Sequence, residues 1–273
     1  MLARSIRLGT KPMVAEHQRA TDVTAELQDI NDGVLQVAST GFSFAAVRKS
    51  GKVVVWGNAE RGGSMKKLQA VGAATGVKSV VGCETGTFAA LKTNGKVVSW
   101  GYPIFGNEIV TKEEQTRLDA LDSASIYSTP YCGWLALDSK GRVEVWGNVA
   151  AGGSLTKAAS SVANDLKSGV REVFHTDHAF AVLKEDKTVV SWGPDVFKEN
   201  DSQSAVKVTY ESVKDKLVNV VQIVSTKSAF AARTSSGAVV VWGSKEFGAD
   251  PDRGSKSAGY VRPLFSICVY TYV

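Results

Sequence analysis

Four of the six Cys and His side chains in this sequence, types that hold a metal, recur in matching positions: Cys83, Cys132, His175 and His178. Thiolate and imidazole are the usual ligands of zinc, and a structural site gathers four of them tetrahedrally. The two histidines stand three apart in "HTDH" (175–178). When the chain is aligned on Phe88, Trp134 and Phe180, the aromatic residues that open three similar strand-like runs, Cys83 and His175 fall five residues before the aromatic. Cys132 and His178 fall two residues before it. All four would then sit on one rim of neighbouring elements. The competing reading, two loop histidines and two small buried cysteines, is the one adopted, because free cysteine packs as a small hydrophobe. No metal site is therefore assigned.

Other chemistry is equally sparse. The sequence has no phosphate-cradling G-x-x-x-x-G-K-[ST] loop, no G-x-S-x-G, no H-E-x-x-H and no C-x-x-C. Nothing resembles a nucleophile with its base and orienting group. The expectation is a protein that is not an enzyme and needs no cofactor. Cys83, Cys132 and Cys268 are odd in number and widely spaced. That pattern argues against a disulfide framework and for a reducing compartment.

What the sequence does hold is a repeat, and repeats decide a fold before anything else. Five segments align without a gap: "FAAVRKSGKVVVWG" (44–57), "FAALKTNGKVVSWG" (88–101), "WLALDSKGRVEVWG" (134–147), "FAVLKEDKTVVSWG" (180–193) and "FAARTSSGAVVVWG" (230–243). Their tryptophans are Trp56, Trp100, Trp146, Trp192 and Trp242, at intervals of 44 to 50 residues. Each segment reads as a hairpin, two β-prone runs around Ser50-Gly51, Asn94-Gly95, Lys140-Gly141, Asp186-Lys187 or Ser236-Gly237. A two-residue turn of this kind asks for positive φ at both positions. A further apolar run precedes each hairpin: "VLQVAS" (34–39), "VKSVVG" (77–82), "SIYS" (125–128), "VREVFH" (170–175) and "VVQIVS" (220–225). That makes three strands per repeat. The linkers show apolar residues four apart at Val23/Leu27, Val162/Leu166 and Val213/Leu217, which suits a short amphipathic helix. A fourth outer strand is the alternative.

In the last strand of each repeat, successive side chains point to opposite faces, and both faces are mostly apolar; Glu144 is the clear exception. A sheet apolar on both faces has to be covered on both. Small sheets stacked face to face do this, and radial stacking of that kind is a β-propeller. The predicted fold is all-β: a propeller-like array of five blades of three to four strands with short helical linkers, either closed or an incomplete, open arc. The recurrent Trp fills the slot between blades, and the Gly after it lets the chain turn where the strand ends. One domain is expected over residues 17–273. Its repeats cover about 17–63, 64–107, 108–153, 154–199 and 200–249, with a closing strand in 250–273. There "PLFSICVYTYV" (263–273) is apolar on both alternations and invites pairing, either with an edge near the N-terminal linker or with a partner chain.

The bulk numbers agree with a globular chain: 273 residues, 44% hydrophobic, 22% charged. The net charge of +5 is spread out rather than gathered, so no nucleic-acid partner is predicted. No run approaches the ~18 apolar residues of a membrane span. Residues 1–16 read as a flexible basic N-terminus. Arg4, Arg7 and Lys11 without an acid within residues 1–15 give the alternative of a weak mitochondrial transit peptide. The expected location is the cytoplasm or another reducing compartment, with mitochondria as the alternative.

"AAVRKSGKVVVWGNAERGG" (45–63) and "LALDSKGRVEVWGNVAAGG" (135–153) resemble the regulator-of-chromosome-condensation repeat, "ALT-x-DG" followed by "V-x-x-WG-x-N-x-x-G-Q-L-G". The resemblance covers about residues 34–248. It departs where the family's His before "ALT" is absent, where "GQLG" shrinks to Gly62-Gly63 or Gly152-Gly153, and where five motifs stand for the family's usual seven blades. The resemblance implies a propeller and several functions. Founding members exchange guanine nucleotide on the small GTPase Ran and touch chromatin; others are ubiquitin-ligase modules, a plant ultraviolet sensor, mitochondrial accessory proteins and bacterial β-lactamase inhibitors. The ultraviolet sensor's "GWRHT" has only an echo in "GWLAL" (133–137), and no insertion is long enough for the exchange factor's wedge. The expected function is non-catalytic protein binding, as a scaffold or accessory subunit of a larger complex, with regulation or nucleotide exchange on a small GTPase as the alternative.

Partner residues are sought on one rim. The turns within the hairpins are short and alike. The loops after Trp-Gly differ: "NAERGG" (58–63), "YPIFGN" (102–107), "NVAAGG" (148–153), "PDVFKE" (194–199) and "SKEFGA" (244–249). Variable loops on a rigid scaffold are where binding concentrates, and aromatic and Arg side chains anchor interfaces. Arg61, Phe105, Phe197, Lys198 and Phe247 are the candidates; internal packing of the three Phe is the competing reading. Lys140 and Lys187 mark the opposite rim.

Overall fold

A computed structural model describes residues 33–103, 109–155, 160–194 and 207–250. Every repeat is an antiparallel sheet. Blade 1 is β1 (Val34–Ser39), β2 (Ser43–Arg48) and β3 (Val53–Gly57). Blade 2 is β4 (Val77–Cys83), β5 (Thr87–Lys92) and β6 (Val97–Gly101); blade 3 is β7 (Ser123–Ser128), β8 (Gly133–Asp138) and β9 (Val143–Gly147). Blade 4 is β10 (Val170–His175), β11 (Phe180–Lys184) and β12 (Val189–Trp192). Blade 5 carries the fourth outer strand: β13 (Lys207–Val208) lies on β16 (Val239–Ser244), beside β15 (Ala229–Thr234) and β14 (Val220–Ser225). The first and second strands share one irregularity in every blade, two residues in from the start of the first strand, as between Val34 and Gln36.

The hairpin turns differ from the two-residue form expected. Only the second residue of each pair has positive φ: Gly51 (76°), Gly95 (77°), Gly141 (74°), Lys187 (65°) and Gly237 (86°). Gly51 N–H donates to Arg48 O and Arg48 N–H to Lys52 O, so the loop is an ordinary tight turn followed by one left-handed residue. Lys187 adopts that conformation without being glycine. Asp186 supports it by accepting from the Thr188 N–H at 3.0 Å.

Short helices fill the linkers. The pairs Val162/Leu166 and Val213/Leu217 are buried, as their spacing predicts, at and just beyond α3 (Ser160–Asp165) and α4 (Tyr210–Val213). Two further helices, α1 (Met65–Ala70) and α2 (Lys112–Asp119), lie where the periodicity gave no signal; each buries a single leucine, Leu68 and Leu118. Their start signals are local. Ser64 caps α1 through Lys67 N–H, and Thr111 and Glu114 form a reciprocal capping box on α2. The pair Val23/Leu27 lies outside the described residues.

The core is divided into four clusters, one at each joint between consecutive blades. Trp100, Trp146, Trp192 and Trp242 are at most 1% exposed, each within a joint. Each Trp sits directly across from the aromatic that opens the second strand and stacks on it; the ring centroids of Phe88 and Trp100 are 5.2 Å apart. The Gly that follows has no alternative. At Gly57 (φ 110°) a Cβ would come within 2.7 Å of Phe42 O and Ser43 Cα. Trp-Gly is thus a packing unit repeated because the blade is repeated.

Candidate partner-binding rim

Each blade has two ends. At the turn end lie the hairpin turns; at the loop end lie the loops between first and second strands and the segments after Trp-Gly. Their chemistry differs because their duties differ.

The turn end is polar, and its cations hold the linker helices. Lys92 Nζ donates to Gly72 O just past α1 (2.6 Å). Lys96 Nζ reaches the Asp119 carbonyl and Arg142 donates to Ala120 O (2.6 Å), both at the end of α2. Cations at helix C-termini satisfy the last carbonyls and the dipole. Asp138, buried, shapes its own turn by accepting from the Lys140 and Arg142 N–H groups at 2.9 and 2.8 Å.

The loop end presents aromatic rings. Phe42, Tyr102, Tyr131 and Phe247 are all exposed there. Arg61 lies between two of them, its guanidinium 4.2 Å from the Phe42 ring centroid and 4.4 Å from that of Tyr102. Its Nη1 donates to Thr85 O at 2.9 Å, so the stack bridges blades 1 and 2. Asn58 holds the segment that carries Arg61, accepting from the Glu60 and Arg61 N–H groups at 3.0 and 3.2 Å. Tyr131 stacks on His178 of the next blade at 4.6 Å. Backbone bonds tie the same loops together: Gly41 N–H to Glu84 O, Glu84 N–H to Pro130 O, Asp177 N–H to Lys227 O. Among the described residues, this end carries exposed aromatics and the hairpin turns carry none.

Of the residues singled out from sequence, Arg61 and Phe247 lie on this rim. Arg61 is committed to two rings and a carbonyl rather than standing free. Phe247 is exposed, not packed inside. Phe105, Phe197 and Lys198 lie outside the described residues. Phe42, Tyr102 and Tyr131 were not singled out. Their signal was available, an aromatic standing where the other repeats have smaller or polar residues: Phe42 matches Gly86, Cys132, His178 and Ser228 in register, Tyr102 matches Asn58, Asn148, Pro194 and Ser244, and Tyr131 matches Gly41, Thr85, Asp177 and Lys227.

The four candidate metal ligands are not brought together. Cys83 and Cys132 are joined by a disulfide across 49 residues of sequence, their Cα atoms 5.3 Å apart, which corrects the expectation of isolated cysteines. Spacing could not show it, because the blades bring the end of β4 to the turn before β8. His178 is occupied by Tyr131, and among the described residues no three His, Cys, Asp or Glu side chains form a metal cluster.

No family model and no curated protein matches the chain. Solved structures do. Prp20p from Saccharomyces cerevisiae, studied for its binding to Gsp1p and histones, matches over 80% of this chain and 58% of its own, at 16% identity and a TM-score of 0.50. Human WBSCR16 matches over 77% and 61%, at 20% identity and 0.46. The β-propeller domain of Cps50 (Swd1) from Myceliophteria thermophila matches over 78% and 71%, at 12% identity and 0.32. The chain spans less than two thirds of the first two. The fold is a β-propeller array, with the regulator-of-chromosome-condensation likeness carried by structure.

Proposed function

We propose that this chain is a non-catalytic protein-binding propeller, a scaffold or accessory subunit of a larger complex, and that its loop rim is the partner face. The observation that carries this reading is the Phe42–Arg61–Tyr102 stack, continued by Tyr131 and Phe247 on the same rim. Flat amphipathic rings held in place by packing bind with little loss of side-chain freedom, and aromatic and Arg groups dominate interface energetics. Three cations of the turn rim, Lys92, Lys96 and Arg142, already serve the helices. The test is capture of a co-purifying partner by purified variants. Tyr102→Ala and Phe247→Ala weaken capture on this reading and leave the melting temperature nearly unchanged. Loss of capture on changing Lys140 and Lys187 to Glu, with none from the aromatic pair, would reverse the assignment.

A second reading, action on a small GTPase, is supported by the likeness to Prp20p, a protein that binds Gsp1p. Release of labelled nucleotide from a panel of small GTPases separates the two: an interaction propeller leaves the rate unchanged, an exchange factor raises it. The Cys83–Cys132 disulfide removes the cysteine ground for a reducing compartment, and imaging a tagged chain tests the proposed cytoplasmic location against the mitochondrial alternative.

A further inference from the structure

The four internal joints repeat one pattern, and the two ends of the array carry its two unmatched halves. At each joint the trailing face of one blade covers the leading face of the next. On the leading face, Phe88, Trp134, Phe180 and Phe230 are at most 1% exposed, but their counterpart in blade 1, Phe44, is 46% exposed. Val80, Ile126 and Ile223 are buried, while their counterpart Val37 is 59% exposed. On the trailing face, Val53, Val97, Val143 and Val189 are buried, while Val239 of blade 5 is 65% exposed and Val224, farther along the same sheet, is exposed too. Ala46 and Val54 of blade 1 are buried, so the open part of its leading face is Val34, Val37, Phe44 and the half-buried Trp56.

The polar partners are split in the same way. The N–H groups of Val77, Ser123, Val170 and Val220 donate to the turn carbonyls of Gly51, Gly95, Gly141 and Lys187 in the blade before, at 2.9–3.1 Å. The fifth turn residue in register is Gly237, and the fifth N–H is that of Val34. A Cβ on Gly51 would meet Val77 N and O at 3.2 Å; one on Gly237 would meet nothing within 4 Å. Gln36 also grips the next blade, its amide bonding both the N–H and the C=O of Val80 at 2.9 Å. Gln222 stands in the same register on blade 5, and Val80 matches Val37.

We infer that blade 5 of one chain stacks on blade 1 of a second copy, repeating the internal joint between molecules. The occupant of each open face is then the other open face. Gly237 O would accept from Val34 N–H of the second copy and Val239 would cover Phe44, while Gln222 Oε1 stays with its own blade, accepting from Arg233 Nε at 3.3 Å. One residue departs from the pattern: Arg233 stands where Val47, Leu91, Leu137 and Leu183 stand elsewhere. Such a contact is heterologous: it closes into a ring or continues into a filament.

Sedimentation velocity over a wide concentration range tests this. The full chain is expected to gain mass with concentration. Phe44→Asp spoils only the leading face and Val239→Asp only the trailing face, so each alone stays monomeric, and their equimolar mixture forms a dimer and nothing larger. Val239 is largely exposed, whereas Phe44 stacks on Trp56 at 5.4 Å; Val37→Asp and Val224→Asp serve as second choices if either variant melts early. A full chain that is monomeric throughout would overturn the inference; association appearing only after deletion of residues 251–273 would overturn it in favour of the chain's own tail as the cover of the face. Association of the single variants at the level of the unaltered chain would overturn it too.

Discussion

Gly193 and Gly237 separate the cost of a backbone clash from that of left-handed strain. The φ of Gly193 is 117°, and a Cβ there would stand 2.5 Å from His178 O and 2.6 Å from Ala179 Cα, both backbone atoms that cannot swing aside. Gly193→Ala should cost more than about 2 kcal/mol, from left-handed strain plus a displaced strand. Gly237→Ala, with open space around it, should cost only the strain, about 1 kcal/mol. Urea denaturation of the two variants measures the difference. The tryptophans give a second comparison. Trp192→Ala removes a fully buried ring and should cost about 3–5 kcal/mol. Trp56→Ala, in the same register but half-buried at the open end, should cost about half as much or less, unless blade 1 is covered by a second copy at the concentration used. Trp-Gly was legible at this scale because both residues are fixed by backbone geometry that recurs in every copy. The Arg61 stack was only half legible. Sequence marked the Arg, but Phe42 and Tyr102 reach it from different loops.

At the scale of elements, the strands followed from pattern: β1, β10 and β14 match the predicted runs, and β4 and β7 extend them by one and two residues. The turn geometry did not follow, because Asn-Gly suits more than one hairpin loop and the strands on either side choose between them. Helices α1 and α2 escaped notice because a helix held by one buried leucine and a cap leaves almost no periodicity. The disulfide is the strongest single link between elements, and neighbours in a propeller need not be neighbours in sequence. Reduction should therefore loosen the joint between blades 2 and 3. Closing a loop of 49 residues predicts roughly 2–4 kcal/mol of stability lost on reduction or in Cys83→Ser. Chemical denaturation with and without reductant reads it, and a Cys83→Ser variant unaffected by reductant confirms the source. A capping test is independent of both: Thr111→Ala removes the box on α2 and should cost about 1 kcal/mol.

Over the whole molecule, five motifs give five blades, and the order of stacking follows the order of the chain. Whether such an array closes was not legible. Closure depends on the faces of the first and last blades, and Phe44 and Val239 look like their buried counterparts until their surroundings are known. The division of labour between the two rims was legible in outline only, since loop variability pointed to one rim while the duty of the cations on the other depends on where the helices end. On the proposed function, partners bind the loop rim. Hydrogen exchange of the chain with and without its co-purifying partner tests it most directly. Protection is expected in residues 40–43, 58–62, 84–87, 129–133, 176–178 and 245–248, with exchange unchanged in the hairpin turns around Gly51, Gly95, Gly141, Lys187 and Gly237. Protection confined to those turns, with the loop rim exchanging as in the free chain, would contradict it.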